Sequence, residues 1–103
     1  MEAETLTPLR ASLRRRLDVR FEPLPDGSAV LYDPVAETAY AISESAALVW
    51  ELCDGAHTAT AIGEELAAVY DAPADVIARD VAALLDRLLE LGLLERAGRG
   101  TVS

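Results

Sequence analysis

Residues 33–55 read DPVAETAYAISESAALVWELCDG, and the change of pattern inside this stretch decides the fold. Thr38, Tyr40 and Ile42 alternate with Glu37, Ala39 and Ala41, the period of two expected of a half-buried strand. At Ser43 the period lengthens. Ser43-Glu44-Ser45 supplies oxygens suited to the unpaired N–H groups of a helix start, and Ala46, Val49, Trp50 and Cys53 then recur at helical spacing. Asp54-Gly55 closes the run with a residue that accepts positive φ. A strand therefore passes directly into a helix.

Working outward, Val19, Phe21 and Pro23 alternate with Arg20 and Glu22, which predicts a first strand over 19–23, at a sheet edge because of Pro23. Pro25-Asp26-Gly27 is a turn signal, Ala29–Tyr32 a second strand, and Asp33-Pro34 the turn of a hairpin with Thr38–Ile42. Downstream, the spacing predicts helices over Ser43–Cys53, Thr58–Tyr70 and from Pro73 to about Leu91, with Gly92 as the C-terminal cap. In the second helix Ile62, Leu66 and Val69 form the apolar side. The fold class is α+β: a three-stranded antiparallel sheet followed by three helices, a winged helix-turn-helix-like arrangement.

The third helix carries a broad apolar arc. With successive residues ~100° apart, Leu84, Ile77, Leu88, Val81 and Leu85 sweep one side, extended by Ala78, Leu89 and Ala82 on one flank and Leu91 on the other. The arc approaches half the circumference, wider than packing on one neighbour needs. A central helix touching both sheet and second helix explains it, and so does a groove along one border, where Asp80, Ala83 and Arg87 lie beside Leu84.

Length and composition bound the rest. At 103 residues with 51% apolar content, the chain makes one folded domain, too short for a two-domain enzyme. No apolar stretch approaches the ~20 residues of a membrane span, and acidic Glu2 and Glu4 stand where a secretory signal needs basic residues. One cysteine forms no internal disulfide, consistent with a reducing, cytoplasmic setting. Residues 1–20 hold five arginines against three acids, whereas residues 21–95 hold two arginines against fifteen acids, a net charge of −13. Such a body repels a phosphate backbone, which argues against nucleic acid as a partner.

Residues 1–17 read as an N-terminal arm. Leu6, Leu9, Leu13 and Leu17 give 6–17 the spacing of a short amphipathic helix decorated by Arg10, Arg14, Arg15 and Arg16. It is either a frayed arm or one that docks on a second copy or a partner enzyme. Residues 18–95 form the domain proper, and 96–103, with Gly98 and Gly100, read as a disordered tail.

Nothing supports catalysis, a cofactor or a metal. His57, the one histidine, falls in a predicted turn, Ser43 and Ser45 lack a nucleophile-elbow context, and Cys53 lies on an apolar helix face. One His and one Cys make no zinc site, and no glycine-rich phosphate loop exists. Trp50 and Tyr40 read as core anchors.

Tyr40-x-Ile42-Ser43-x-x-Ala46, then Leu48-Val49-Trp50-Glu51-Leu52-Cys53-Asp54-Gly55, and later Asp80-Val81, Leu84-Leu85, Leu88 and Gly92-Leu93-Leu94, form an ordered set that resembles the PqqD family. The resemblance spans roughly residues 18–95. Ser43 stands where the family usually has Asn; both cap helices. The resemblance implies non-catalytic binding of the leader segment of a ribosomally synthesised precursor peptide (RiPP). Such a peptide chaperone delivers its cargo to a modifying enzyme such as a radical SAM enzyme, a leader protease or a cyclase. It further implies a leader laid as an added strand between the third strand and third helix. The contacts would then be Glu37, Thr38, Ala39, Tyr40 and Ala41 by backbone, and Val76, Asp80, Ala83, Leu84 and Arg87 by side chain. The rival reading is a winged-helix DNA-binding or dimerisation module, and an open strand edge also allows a homodimer.

Overall fold

In the computed structural model, which describes residues 12–96, the alternating stretches pair as expected. Strands β2 (Arg20–Pro23), β3 (Ala29–Asp33) and β4 (Thr38–Ile42) form an antiparallel sheet in the order β2-β3-β4. The register sets Phe21 opposite Leu31 and Leu31 opposite Tyr40, so one sheet face carries Phe21, Leu31 and Tyr40 together. Ala29, Leu31 and Asp33 are buried on that face, with Ile42, Tyr40 and Thr38 half-buried opposite them. The hairpin turn is closed by Glu37 at φ 52°, a left-handed position.

Helix α1 (Glu44–Leu52) starts where the period changes: Ser43 Oγ accepts from the Ala46 N–H at 3.2 Å. Helix α2 (Ala59–Val69) is capped in the same way by Thr58, whose hydroxyl accepts from the Ala61 N–H at 3.1 Å. Helix α3 (Ala74–Glu90) begins after Pro73, whose carbonyl accepts from Val76 and Ile77. It ends in a Schellman cap, with Leu93 N–H bonding Leu88 O and Gly92 N–H bonding Leu89 O at φ 78°. Ile77, Val81, Leu85 and Leu88 are the buried face of α3, as the wheel predicts. Gly63 of α2 lies against Ala78 of α3, where an added Cβ would sit 3.8 Å from the Ala78 Cα.

The ends of the chain correct the sequence reading. Residues 12–15 are strand β1 (Ser12–Arg15), not the last part of an amphipathic helix; residues 6–11 lie outside the described residues. A helix would have put Leu13 and Leu17 on one face. Instead Leu13 is fully buried and Leu17 is 96% exposed, because the strand ends in a turn between them. The folded body therefore begins before residue 18. The predicted turn after α1 is strand β5 (Asp54–Thr58), and Arg96 ends strand β6 (Leu94–Arg96), while 97–103 lie outside the described residues. These strands form a second antiparallel sheet, β5-β1-β6.

One hydrophobic cluster unites the parts: Leu13 from β1, Leu31 from β3, Val49, Trp50 and Cys53 at α1, Ile62 and Leu66 from α2, and Leu85, Leu88 and Leu93 at α3 and its cap. Among the described residues no helix is long and apolar enough to cross a membrane.

Candidate functional site

Among the described residues β4 is an outer strand of its sheet, bonded to β3 on one side only. In such a strand every second residue turns its N–H and C=O away from the neighbour, leaving them open to an incoming chain. Ala39 and Ala41 are exposed on the outer face, while Tyr40 and Ile42 pack on the core.

On α3 the residues that the helical spacing placed beside the apolar arc, together with Val76, which the family resemblance added, form its solvent border. Val76 is 38% exposed, Asp80, Ala83 and Arg87 are exposed, and Leu84 is half-buried against the core cluster. Tyr40 and Ile42 of β4 and Leu84 of α3 thus border the same cluster, each with part of its surface free. The exposed face of α3 presents Asp75, Asp80 and Glu90 against Arg79 and Arg87, a composition unsuited to a phosphate backbone.

Arg16, just past β1, ties the strand and helix ends together. Its guanidinium donates to both Asp33 oxygens at 2.8 and 3.1 Å, to Asp18 at 2.8 and 2.9 Å, and to Gly92 O at 2.9 Å. Asp33 is opposite Thr38, the first residue of β4, and Gly92 caps α3. The buried Asp33 carboxylate also accepts from the Val35 and Ala36 N–H groups in the turn before β4. Hydrogen bonding to Arg16 holds its pKa below the ordinary carboxylate value, with those backbone donors adding to the effect. Arg15 acts alongside, donating to Trp50 O at 3.0 Å and Glu51 O at 2.6 Å, so a cation caps the C-terminal carbonyls of α1. Both arginines read from the sequence as decoration of a helix surface, and a strand holding one apolar residue offers no period to say otherwise.

Asp54 and His57, in β5, partner each other. Asp54 accepts from the Ala56 and His57 N–H groups and meets His57 Nδ1 at 2.9 Å. The contact with the His57 ring, followed by the backbone donors, brings its pKa down to about 2. Cys53 is buried, and desolvation pushes its thiol up to about 12, which makes it an unreactive core group at neutral pH. Trp50 is buried and Tyr40 half-buried, as core anchors should be.

Adjoining clefts open at the other side of the sheet. One of about 310 Å³ is lined by Phe21 and Pro23 of β2, Leu48 and Glu51 of α1 and Val69-Tyr70 at the end of α2. A second, of about 360 Å³, shares Phe21 and Glu51 and adds Arg15 and Trp50. Sequence reasoning missed this surface.

The family model described as "Coenzyme PQQ synthesis protein D (PqqD)" matches residues 28–94. A curated relative, the "PqqA binding protein" of Rhodopseudomonas palustris (strain BisB5), is 33% identical over 88 residues, covering 85% of this chain and 83% of that protein. The solution structure of the PqqD truncation of Methylobacterium extorquens PqqCD, a stand-alone RiPP recognition element, is 29% identical with a TM-score of 0.68, covering 82% of this chain and 88% of that one. Two further structures share the fold. TbiB1 in complex with the TbiA(beta) leader peptide has a TM-score of 0.72 at 21% identity, covering 84% of this chain and 98% of its own. Lasso peptide synthetase B1 complexed with the leader peptide has 0.71 at 24% identity, covering 82% and 98%.

Proposed function

We propose, on the premise that this chain belongs to the PqqD family, that it is a non-catalytic recognition protein for the leader segment of a ribosomally synthesised precursor peptide. The leader adds as a strand to the open edge of β4, pairing with the backbone of residues 37–41. Its side chains reach the border of α3 at Val76, Asp80, Ala83, Leu84 and Arg87. The observation that carries this reading is the conjunction of an unpaired strand edge and a half-buried Leu84 on one core cluster. Main-chain bonds, each contributing about 0.5–1.5 kcal/mol net, supply affinity without dependence on leader sequence; the α3 border supplies selection.

Binding without chemistry has one use: it raises the effective concentration of the attached core peptide at a separate modifying enzyme. A radical SAM enzyme, a leader protease or a cyclase would each be served by the same arrangement. The −13 charge of residues 21–95 favours leaders with basic residues flanking apolar anchors. A thiol kept buried and unoxidised suits work in the cytoplasm.

Fluorescence anisotropy with a labelled leader, from the precursor peptide encoded beside the gene, tests the reading against a labelled DNA duplex. Saturable leader binding at micromolar or tighter concentration is expected, weakened by Leu84→Asp and unchanged by His57→Ala. Because Leu84 touches the core, each variant is first melted to establish that it is folded. Absent leader binding together with salt-sensitive duplex binding would overturn the proposal.

A further inference from the structure

Among the described residues the sheet β2-β3-β4 has two open edges, and the proposed leader site uses one of them. Beneath the other, β2, lie the adjoining clefts already described, bounded by α1 and the end of α2. Their lining is unusual for surface that meets only water. Phe21 stands opposite buried Leu31 in the register yet is itself only half-buried. Val69 is 63% exposed although it falls in helical step with buried Ile62 and Leu66. Leu48 and Tyr70 complete the apolar lining, both half-buried. Scattered apolar residues on a surface are ordinary; here four gather around one cleft beside an edge strand.

Charge narrows the occupant. Glu44 and Glu51 flank the cleft, and neither has a hydrogen-bonding or ionic partner of its carboxylate among the described residues. Glu44 lies over the β2–β3 turn, since a Cβ on Gly27 would come 2.9 Å from its Cδ. Glu22 adds a third exposed acid along β2. The one cation lining the clefts, Arg15, has its guanidinium engaged with Trp50 O and Glu51 O. Pro23 lacks an N–H and ends the edge, so an incoming backbone pairs with Arg20–Glu22 at most, and side-chain anchoring in the cleft must do the rest. A second copy of this chain would bring its own acidic rim against this one, with like charges opposed.

We propose that the cleft between β2, α1 and the end of α2 is a second docking surface, which takes an extended segment of a partner protein bearing an apolar anchor between basic residues. It lies at the opposite edge of the sheet from β4, so a leader and this partner occupy the domain at once. The proposal does not depend on leader binding. Where that reading holds, the modifying enzyme is the partner whose docking here would bring it to the bound precursor.

Amide chemical-shift mapping of the 15N-labelled chain tests it with two synthetic eight-residue amides. One alternates arginine with valine and leucine, and the other has glutamate in place of arginine. The arginine probe should shift the amides of Phe21, Glu22, Ala47, Leu48, Glu51 and Tyr70. A Glu44→Gln/Glu51→Lys variant should weaken it roughly tenfold. Glu64→Lys/Glu90→Lys, a larger charge change at exposed helix positions that do not line the clefts, should alter it less than twofold. Shifts confined to residues 38–41 and 84, or equal binding of the glutamate probe, would overturn the proposal. So would concentration-dependent shifts of the β2 amides without any peptide, which would give the edge to a second copy. Retained spectral dispersion in each variant separates lost binding from lost folding. Failure of the leader titration leaves these outcomes unchanged, so the two readings fail separately.

Discussion

Leu13→Ala is the sharpest test of whether the N-terminal strand belongs to the domain. Leu13 has no solvent exposure and sits in the same cluster as Leu31, Trp50 and Leu93. Removing three buried carbon groups at about 0.8 kcal/mol each costs about 2.4 kcal/mol in transfer alone. The cavity left behind raises this to about 3–5 kcal/mol, since β1 is held between β5 and β6 and has little freedom to collapse inward. For a domain of this length, each kcal/mol lowers the melting midpoint by about 4–8 °C. The expected fall is therefore at least about 12 °C, a large share of the stability that small domains possess. Thermal melts followed by far-ultraviolet circular dichroism measure it, with Leu17→Ser as control, because Leu17 is 96% exposed and should shift the midpoint by less than about 3 °C. A drop under about 1 kcal/mol for Leu13→Ala would refute the placement of β1 in the core and restore the dangling arm.

Three further outcomes are expected. Ser43→Ala removes the oxygen that receives the Ala46 N–H and should cost about 1 kcal/mol in urea unfolding, whereas Ser43→Asn, an equally good cap, should cost a few tenths at most. Asp54, held at about 2 in the folded chain, lies below the ordinary carboxylate value of about 3.9. Its contribution is therefore complete above about pH 4 and is lost as pH falls towards 2; Asp54→Asn should flatten that part of an acid titration of the melting midpoint. Arg16→Met leaves the buried Asp33 carboxylate without its cation, so the Asp33 pKa should rise and the onset of acid unfolding should move to higher pH. An unchanged onset would mean that the turn amides of Val35 and Ala36 suffice on their own.

The sheet β2-β3-β4 and all three helices were legible because each repeats its apolar residues at its own period over enough residues to be distinctive. The second sheet was not. β6 is three residues long, β5 reads Asp-Gly-Ala-His-Thr, and β1 contains a single apolar residue; β5 and β6 are extended because each pairs with β1, not because their side chains favour it. The helical spacing of Leu13 and Leu17 misled, because a strand and a turn separate them. The α3 border at Asp80, Ala83 and Arg87 followed from geometry on a single helix. The cleft under β2 could not, because Val69 is the last residue of α2. A wheel assigns it to the apolar side, but only the arrangement of α1 and β2 around that helix end shows that no side chain covers it.

β1 also explains how so small a domain keeps its strand edge and helix in fixed relation. A peptide slot between a strand and a helix works only if their separation is set before the ligand arrives; otherwise binding must supply the ordering cost. Over two residues, β1 and the turn after it reach every element concerned. The Arg15 N–H bonds Cys53 O and the Arg16 N–H bonds Leu93 O, fixing the ends of α1 and α3 to one backbone. The Arg15 side chain then caps α1, and the Arg16 side chain joins the α3 cap to Asp33. Asp33 stands at the register position facing Thr38, so the chain of contacts ends at the first residue of the open edge. The arginines whose charge looked like surface decoration thus hold the elements that frame the proposed leader site, while none of their donors is needed by the leader itself.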